Sequence, residues 1–130
     1  IPTSTGAAKA VGEVLPQRKG KLHGIAARVP VPDGCVVDLF VKLGKRISVQ
    51  DVNEVVRAAS DSARLRGILQ YSETPIVSTD IIGNSHSSIY DAGFTGVIAD
   101  RYLRVLNWYD NEWGYSCRVC DLLARLRDLT

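Results

Sequence analysis

Between positions 35 and 43 the chain keeps a two-residue period. Cys35, Val37, Leu39, Val41 and Leu43 fall on one side, and Val36, Asp38, Phe40 and Lys42 on the other. Alternate side chains point to opposite faces only in an extended strand. This segment therefore belongs in a sheet, with its apolar side expected to face a core and its mixed side an interface. A few residues later the period changes. Val52, Val55, Val56 and Ala59 recur at helical spacing behind Ser48 and Asp51, which stand as a capping box with Asp in the place more often held by Glu. An amphipathic helix is expected from that box to about Ser60.

The other elements follow from the same signals. A helix is predicted over 5–15, where Ser4 or Thr5 can cap it and Pro16 stops it. Strands are predicted over 22–30 and 35–43, joined as a hairpin by Val31, Pro32, Asp33 and Gly34. Short strands are predicted at 68–71, 76–81 and 88–91, with a clearer one at 102–108. Val119, Leu122, Leu123 and Leu126 form the stripe of a last helix, and that stripe is expected to lack its full partner within this chain. Hairpins with helices grouped around them imply an α+β fold, a mostly antiparallel sheet with helices packed on one face and a helix at the C-terminus.

The 130 residues suit one domain, and 45% hydrophobic with 23% charged is a globular balance. No apolar run approaches the ~20 residues of a membrane span, and no charged-then-apolar leader precedes the fold, so the expected compartment is the cytoplasm. A net charge of +2, spread along the chain, gives no footprint for nucleic acid. Of three cysteines, Cys117 and Cys120 have C-x-x-C spacing. With no second ligand pair they read as buried thiols, and no metal site is expected. The chain has no methionine and begins with Ile1, so it reads as the later part of a longer polypeptide.

Two places carry chemistry. Thr5 and Gly6 stand at a helix start, where unpaired N–H groups and the positive end of the dipole favour an anion, and glycine lets it approach the backbone. A helix running out from Gly6 and a strand running back to Arg28 nearly cancel in length, which would bring a guanidinium fork to the same anion. Local spacing also accommodates a capped Ala-rich helix and an arginine at a strand edge. The second place is the run Tyr109, Asp110, Asn111, Glu112, Trp113, Gly114, Tyr115, Ser116, which sets an amide, acids and aromatic rings between a strand and a helix. There Asp110 or Asn111 can also simply cap the helix. His23 and His86 read as surface or structural residues.

These segments, with the opening run 1–12 and Ala27, Arg28, Val29, Pro30 after it, closely resemble the C-terminal part of phosphorylating glyceraldehyde-3-phosphate dehydrogenase of bacterial type. The resemblance implies that Thr5, Gly6 and Arg28 hold the phosphate groups of glyceraldehyde 3-phosphate and inorganic phosphate. It implies that Asn111 fixes the carboxamide of a nicotinamide cofactor, NAD or NADP, with Tyr115 against the ring. It further implies that residues 1–110 are part of a catalytic domain, that 111–130 pack on an absent dinucleotide-binding domain, and that the full enzyme is a homotetramer. None of the cysteines stands in the family's nucleophile motif, so no catalytic residue is assigned and the chain alone is expected to be inactive. Erythrose-4-phosphate dehydrogenase carries similar motifs, and a non-catalytic α+β phosphate-binding or interaction module is the alternative of a different class.

Overall fold

A computed structural model describes residues 1–127. The chain divides into two compact units, Ile1–Val31 and Pro32–Thr130.

In the first unit, β1 (Pro2–Ser4) and β2 (Ile25–Ala27) form a two-stranded antiparallel ladder, and α1 (Ala7–Val14) lies between them in sequence. A 3-10 turn at Pro16–Arg18 follows α1, because Pro16 has no N–H with which to extend the helix. The strand predicted over 22–30 shrinks to three residues.

The second unit holds a four-stranded sheet in the order β3-β6-β5-β4, from β3 (Cys35–Lys42), β4 (Leu69–Ser72), β5 (Ser88–Ile98) and β6 (Tyr102–Tyr109). β3/β6 and β5/β6 pair antiparallel and β4/β5 parallel. The predicted hairpin between 22–30 and 35–43 does not form: β2 pairs with β1, and β3 pairs along all eight residues with β6. Pro30 and Pro32 lack the N–H groups that a continuing ladder would need, and Val31 N–H turns back on the Val29 carbonyl at 2.8 Å. The segment predicted as a strand at 76–81 is instead a 3-10 turn, Ser78–Ile81. Asp80 caps it by accepting the Val77 N–H at 2.8 Å.

α2 (Val49–Asp61) begins at the expected capping box: Asp51 N–H donates to Ser48 Oγ at 3.1 Å, and Ser48 N–H donates to Asp51 Oδ2 at 2.8 Å. Its Val52 and Val56 pack with Leu69, Tyr71 and Leu103 around buried Tyr90, Ala92 and Val105. Tyr71 and Tyr90 stack with centroids 5.8 Å apart, and the Arg57 guanidinium lies 4.5 Å from the Tyr71 ring centre. Asn53 Oδ1 accepts from both the Tyr90 hydroxyl and Thr95 Oγ1, tying α2 to the irregular stretch of β5 between Asp91 and Gly96.

The core is therefore centred on β5 and β6, and the face of β3 expected to be core is only partly covered. Val37 is 45% exposed and Leu39 38%. The reason is topological: β3 is an edge strand, and α2 lies over β4 and β5 at the other side of the sheet. On the opposite face Phe40 stacks on Tyr102 at 5.9 Å, and Arg104 grips Asp38 through two 2.8 Å hydrogen bonds. α3 (Trp113–Arg127) closes the described chain.

Ser48→Ala removes the acceptor for the Asp51 amide and should lower unfolding free energy by about 1 kcal/mol. Urea unfolding followed by circular dichroism measures it; an unchanged midpoint would contradict the cap's role.

Candidate functional site: a helix start and a strand-to-helix junction

In the first unit, Gly6 is the N-cap of α1, with its carbonyl accepting the Ala10 N–H at 3.0 Å. Thr5 Oγ1 accepts the Ala7 N–H at 3.2 Å, using one of the helix's orphan donors. A Cβ built on Gly6 would meet nothing within 4 Å, so packing does not require glycine there. The first turn of α1 is open to an approaching ligand.

Arg28 stands elsewhere on the ladder than the sequence argument places it. Its N–H donates to the Ile1 carbonyl at 2.9 Å, and its carbonyl accepts from the Ile1 amino group at 2.7 Å. The returning strand thus pairs with β1 instead of running to the helix start, and Arg28 lies opposite Ile1. Thr5 is four residues further along, roughly 13 Å at ~3.3 Å per residue. Alternation puts Arg28 on the ladder face of Ile1 and Thr3, with only the small Ala26 beside Thr3 on that face. Arg28 is exposed, and its guanidinium has no hydrogen bond or ion pair among the described residues.

In the second unit the junction between β6 and α3 is built on Asp110, which is only 2% exposed. Its Oδ1 accepts the N–H groups of Glu112 at 2.9 Å and Trp113 at 2.7 Å, and its Oδ2 accepts that of Gly83 at 2.8 Å. Burial pushes this carboxyl up. The bonds from Trp113, Gly83 and Glu112, with a contact from Asp33, outweigh that push and hold it below the ordinary aspartate value. Gly83 reaches the carboxylate from a turn with φ +78, a conformation natural to glycine. Gly114 then lets α3 start against the 84–86 loop, since a Cβ there would stand 3.1 Å from the His86 carbonyl oxygen.

Asn111 follows Asp110 and is exposed, so the cap and the candidate cofactor contact are adjacent, distinct residues. Asn111 Oδ1 accepts from Cys35 Sγ at 3.4 Å, and its Nδ2 donates to Glu112 Oε1 at 3.3 Å. The first comes from a weak thiol donor and the second is long. Helical hydrogen bonds from Gly114 N–H to the Asp110 carbonyl and from Ser116 N–H to the Glu112 carbonyl start the winding early. That places Asn111 and Tyr115 one turn apart on one side, and Tyr115 is 71% exposed.

Other candidates resolve differently. His86 Nδ1 lies 2.8 Å from Asn84 Oδ1; burial, then the Arg118 charge, hold its pKa below the usual histidine value. Cys117 is half-buried and Cys120 exposed, which corrects the expectation of buried thiols: they share a helix whose Val119, Leu122, Leu123 and Leu126 are also exposed. Among the described residues no group of three or more His, Cys, Asp or Glu could hold a metal ion, and no helix is long and apolar enough to cross a membrane. Sequence reasoning missed the second half of the Asp110 clamp, the Gly83 turn. An Asp three residues before a helical Trp signals a cap, but no local pattern names a donor 27 positions upstream.

Asp110→Asn replaces one acceptor oxygen by a donor, so an N–H of Gly83, Glu112 or Trp113 loses its partner. The variant should lose roughly 1–3 kcal/mol at neutral pH. The folded carboxyl lies below its open-chain value of ~3.9, so its ionisation stabilises the fold above that pH, and the contribution is lost as pH falls through the folded value. Urea unfolding should show the gap between parent and variant closing in acid; a gap independent of pH would contradict the assignment.

Comparison with known proteins places this sequence in a family. The sequence profile described as glyceraldehyde 3-phosphate dehydrogenase, C-terminal domain, matches residues 1–111. A glyceraldehyde-3-phosphate dehydrogenase of Mycolicibacterium smegmatis is 57% identical over 124 residues, covering 95% of this chain and 36% of the relative. That of Borreliella burgdorferi is 58% identical over 127 residues, covering 97% of this chain and 38% of the relative. The chain thus spans a little over a third of the length of these relatives. With the profile matched along most of its residues, the chain belongs to the glyceraldehyde 3-phosphate dehydrogenase C-terminal domain family.

Proposed function

We propose that this chain is the phosphate-binding part of an NAD- or NADP-dependent phosphorylating dehydrogenase that oxidises glyceraldehyde 3-phosphate with inorganic phosphate, working in the cytoplasm. The observation that carries the reading is the open first turn of α1, where Gly6 presents bare backbone and Thr5 a hydroxyl, in the same unit as an arginine without a carboxylate partner among the described residues. Backbone N–H groups and the helix dipole attract phosphate oxygens there. Arg28, on the ladder face that leads past Ala26 to Thr5, supplies a permanent charge that its long side chain carries back along the ladder.

Asn111 suits a carboxamide. Its amide offers both a donor and an acceptor, and the weak thiol contact from Cys35 and the long one to Glu112 exchange at little cost for stronger ones. The exposed ring of Tyr115, one turn on, offers a flat apolar surface for a nicotinamide. The bound dinucleotide supplies the hydride acceptor. In this reading the nucleophilic thiol and the dinucleotide-binding domain belong to the rest of the enzyme, and the stripe of Val119, Leu122, Leu123 and Leu126, each 39% exposed or more, packs against that domain. The open sheet face with Val36, Asp38 and Phe40 serves self-association into a homotetramer. Light scattering of the complete enzyme showing a stable monomer would exclude that assembly.

In the complete enzyme, Arg28→Gln should lower kcat/KM for glyceraldehyde 3-phosphate about 10- to 100-fold, the loss of one charge-assisted contact. Thr5→Ala should cost only several-fold. Asn111→Ala should raise KM for the dinucleotide about tenfold and leave that for the aldehyde nearly unchanged. Steady-state kinetics that are indifferent to Arg28→Gln would overturn the phosphate site, and an unchanged dinucleotide KM would overturn the cofactor contact.

A further inference from the structure

Along α3, Arg118, Asp121 and Arg125 recur at i, i+3 and i+7 and share one side of the helix. That side meets the loop that precedes β4. Arg118 Nη1 donates to the Gly67 carbonyl at 3.3 Å, to the Ser85 carbonyl at 3.1 Å and to Ser87 Oγ at 3.2 Å, and its Nε pairs with Asp121 Oδ2 at 2.8 Å. Helix and loop bound an open hollow of about 390 Å³, whose charged lining is Arg64, Arg66, Arg118, Arg125 and Asp121. Four arginines against one aspartate leave a net charge of +3 there.

Asp121 neutralises Arg118, which is held in place by its three other acceptors. The remaining three are uncompensated. Arg66 reaches only the Asp61 backbone carbonyl, at 3.1 Å, and Arg64 and Arg125 have no hydrogen bond or ion pair among the described residues. Like charges around one hollow repel each other unless an anion joins them. Guanidinium forks match the oxygens of phosphate in pairs, and they are permanently charged.

We propose that this hollow binds a chain of linked phosphates, as in a di- or triphosphate, free or carried on a nucleotide. The arginines stand on two elements and, on α3 alone, extend over seven residues, roughly 10 Å at ~1.5 Å per residue. A single tetrahedral ion meets only one end of such an array; linked phosphates meet all of it. This site uses none of Thr5, Gly6, Arg28, Asn111 or Tyr115, so it stands apart from the dehydrogenase reading.

The test is isothermal titration of the 130-residue chain with sodium tripolyphosphate, in phosphate-free buffer near physiological ionic strength. One saturable site that does not depend on Arg28 is expected, with orthophosphate bound there at least tenfold more weakly. Arg64→Gln and Arg125→Gln, both at exposed positions, should each weaken tripolyphosphate about tenfold. Arg28→Gln should leave it unchanged, which separates this site from the helix start of α1. ATP binding as tightly as tripolyphosphate assigns recognition to the phosphate chain, and tighter ATP binding assigns it to a nucleotide; either supports the site. Absence of saturable binding, orthophosphate binding as tightly as tripolyphosphate, or a loss caused by Arg28→Gln in place of Arg64→Gln and Arg125→Gln would overturn it.

Discussion

The second unit depends on one buried carboxylate. Asp110 ends β6, and by accepting N–H groups from Gly83, Glu112 and Trp113 it joins the end of a strand, a glycine turn and the start of α3. An ionised group withdrawn from water is costly unless its lone pairs are used, and here the hydrogen bonds outweigh the desolvation. The consequence is directional. With Asp110 occupied inward, Asn111 is left outward on the same rigid corner, and the next turn presents Tyr115 beside it. A cap that faces the core is therefore what leaves a neighbouring amide available to solvent.

α3 shows how one helix can be fixed without being covered. Gly114 seats its first turn on the 84–86 loop, and Arg118 binds three acceptors on neighbouring segments. These contacts are polar and set position. The apolar stripe of Val119, Leu122, Leu123 and Leu126 adds nothing to them and stays exposed. The thiols of Cys117 and Cys120 share this helix, and their incomplete burial follows from the same lack of cover.

What was legible in the sequence was local. The Ser48–Asp51 box and the valines behind it specify α2 within a dozen residues, and the alternation over 35–43 specifies β3. The strand-to-helix change at 109–113 was equally plain. What could not be read was pairing. β3 bonds to β6 across some seventy positions, and no feature of 35–42 distinguishes that partner from a hairpin neighbour. The same blindness explains the core: alternation assigns a face to Leu39 and Val41, but only strand order reveals that α2 covers β4 and β5. Arg28 shows it most sharply. Chain length brings it back toward the start of α1, whereas ladder register sets it opposite Ile1, on the strand face it shares with Ala26 and Thr3. The candidate residues were found by type and motif; their geometry depends on register, which is non-local.

The claim that Asp110 holds strand, turn and helix together is tested most directly by native-state hydrogen exchange at the amides of Gly83, Glu112 and Trp113. A shared carboxylate requires that all three be protected and that they open together, with one common free energy under increasing denaturant. Exchange of the Gly83 amide at the rate of an open loop, while those of Glu112 and Trp113 stay protected, would show a helix cap and no clamp, and would contradict the account.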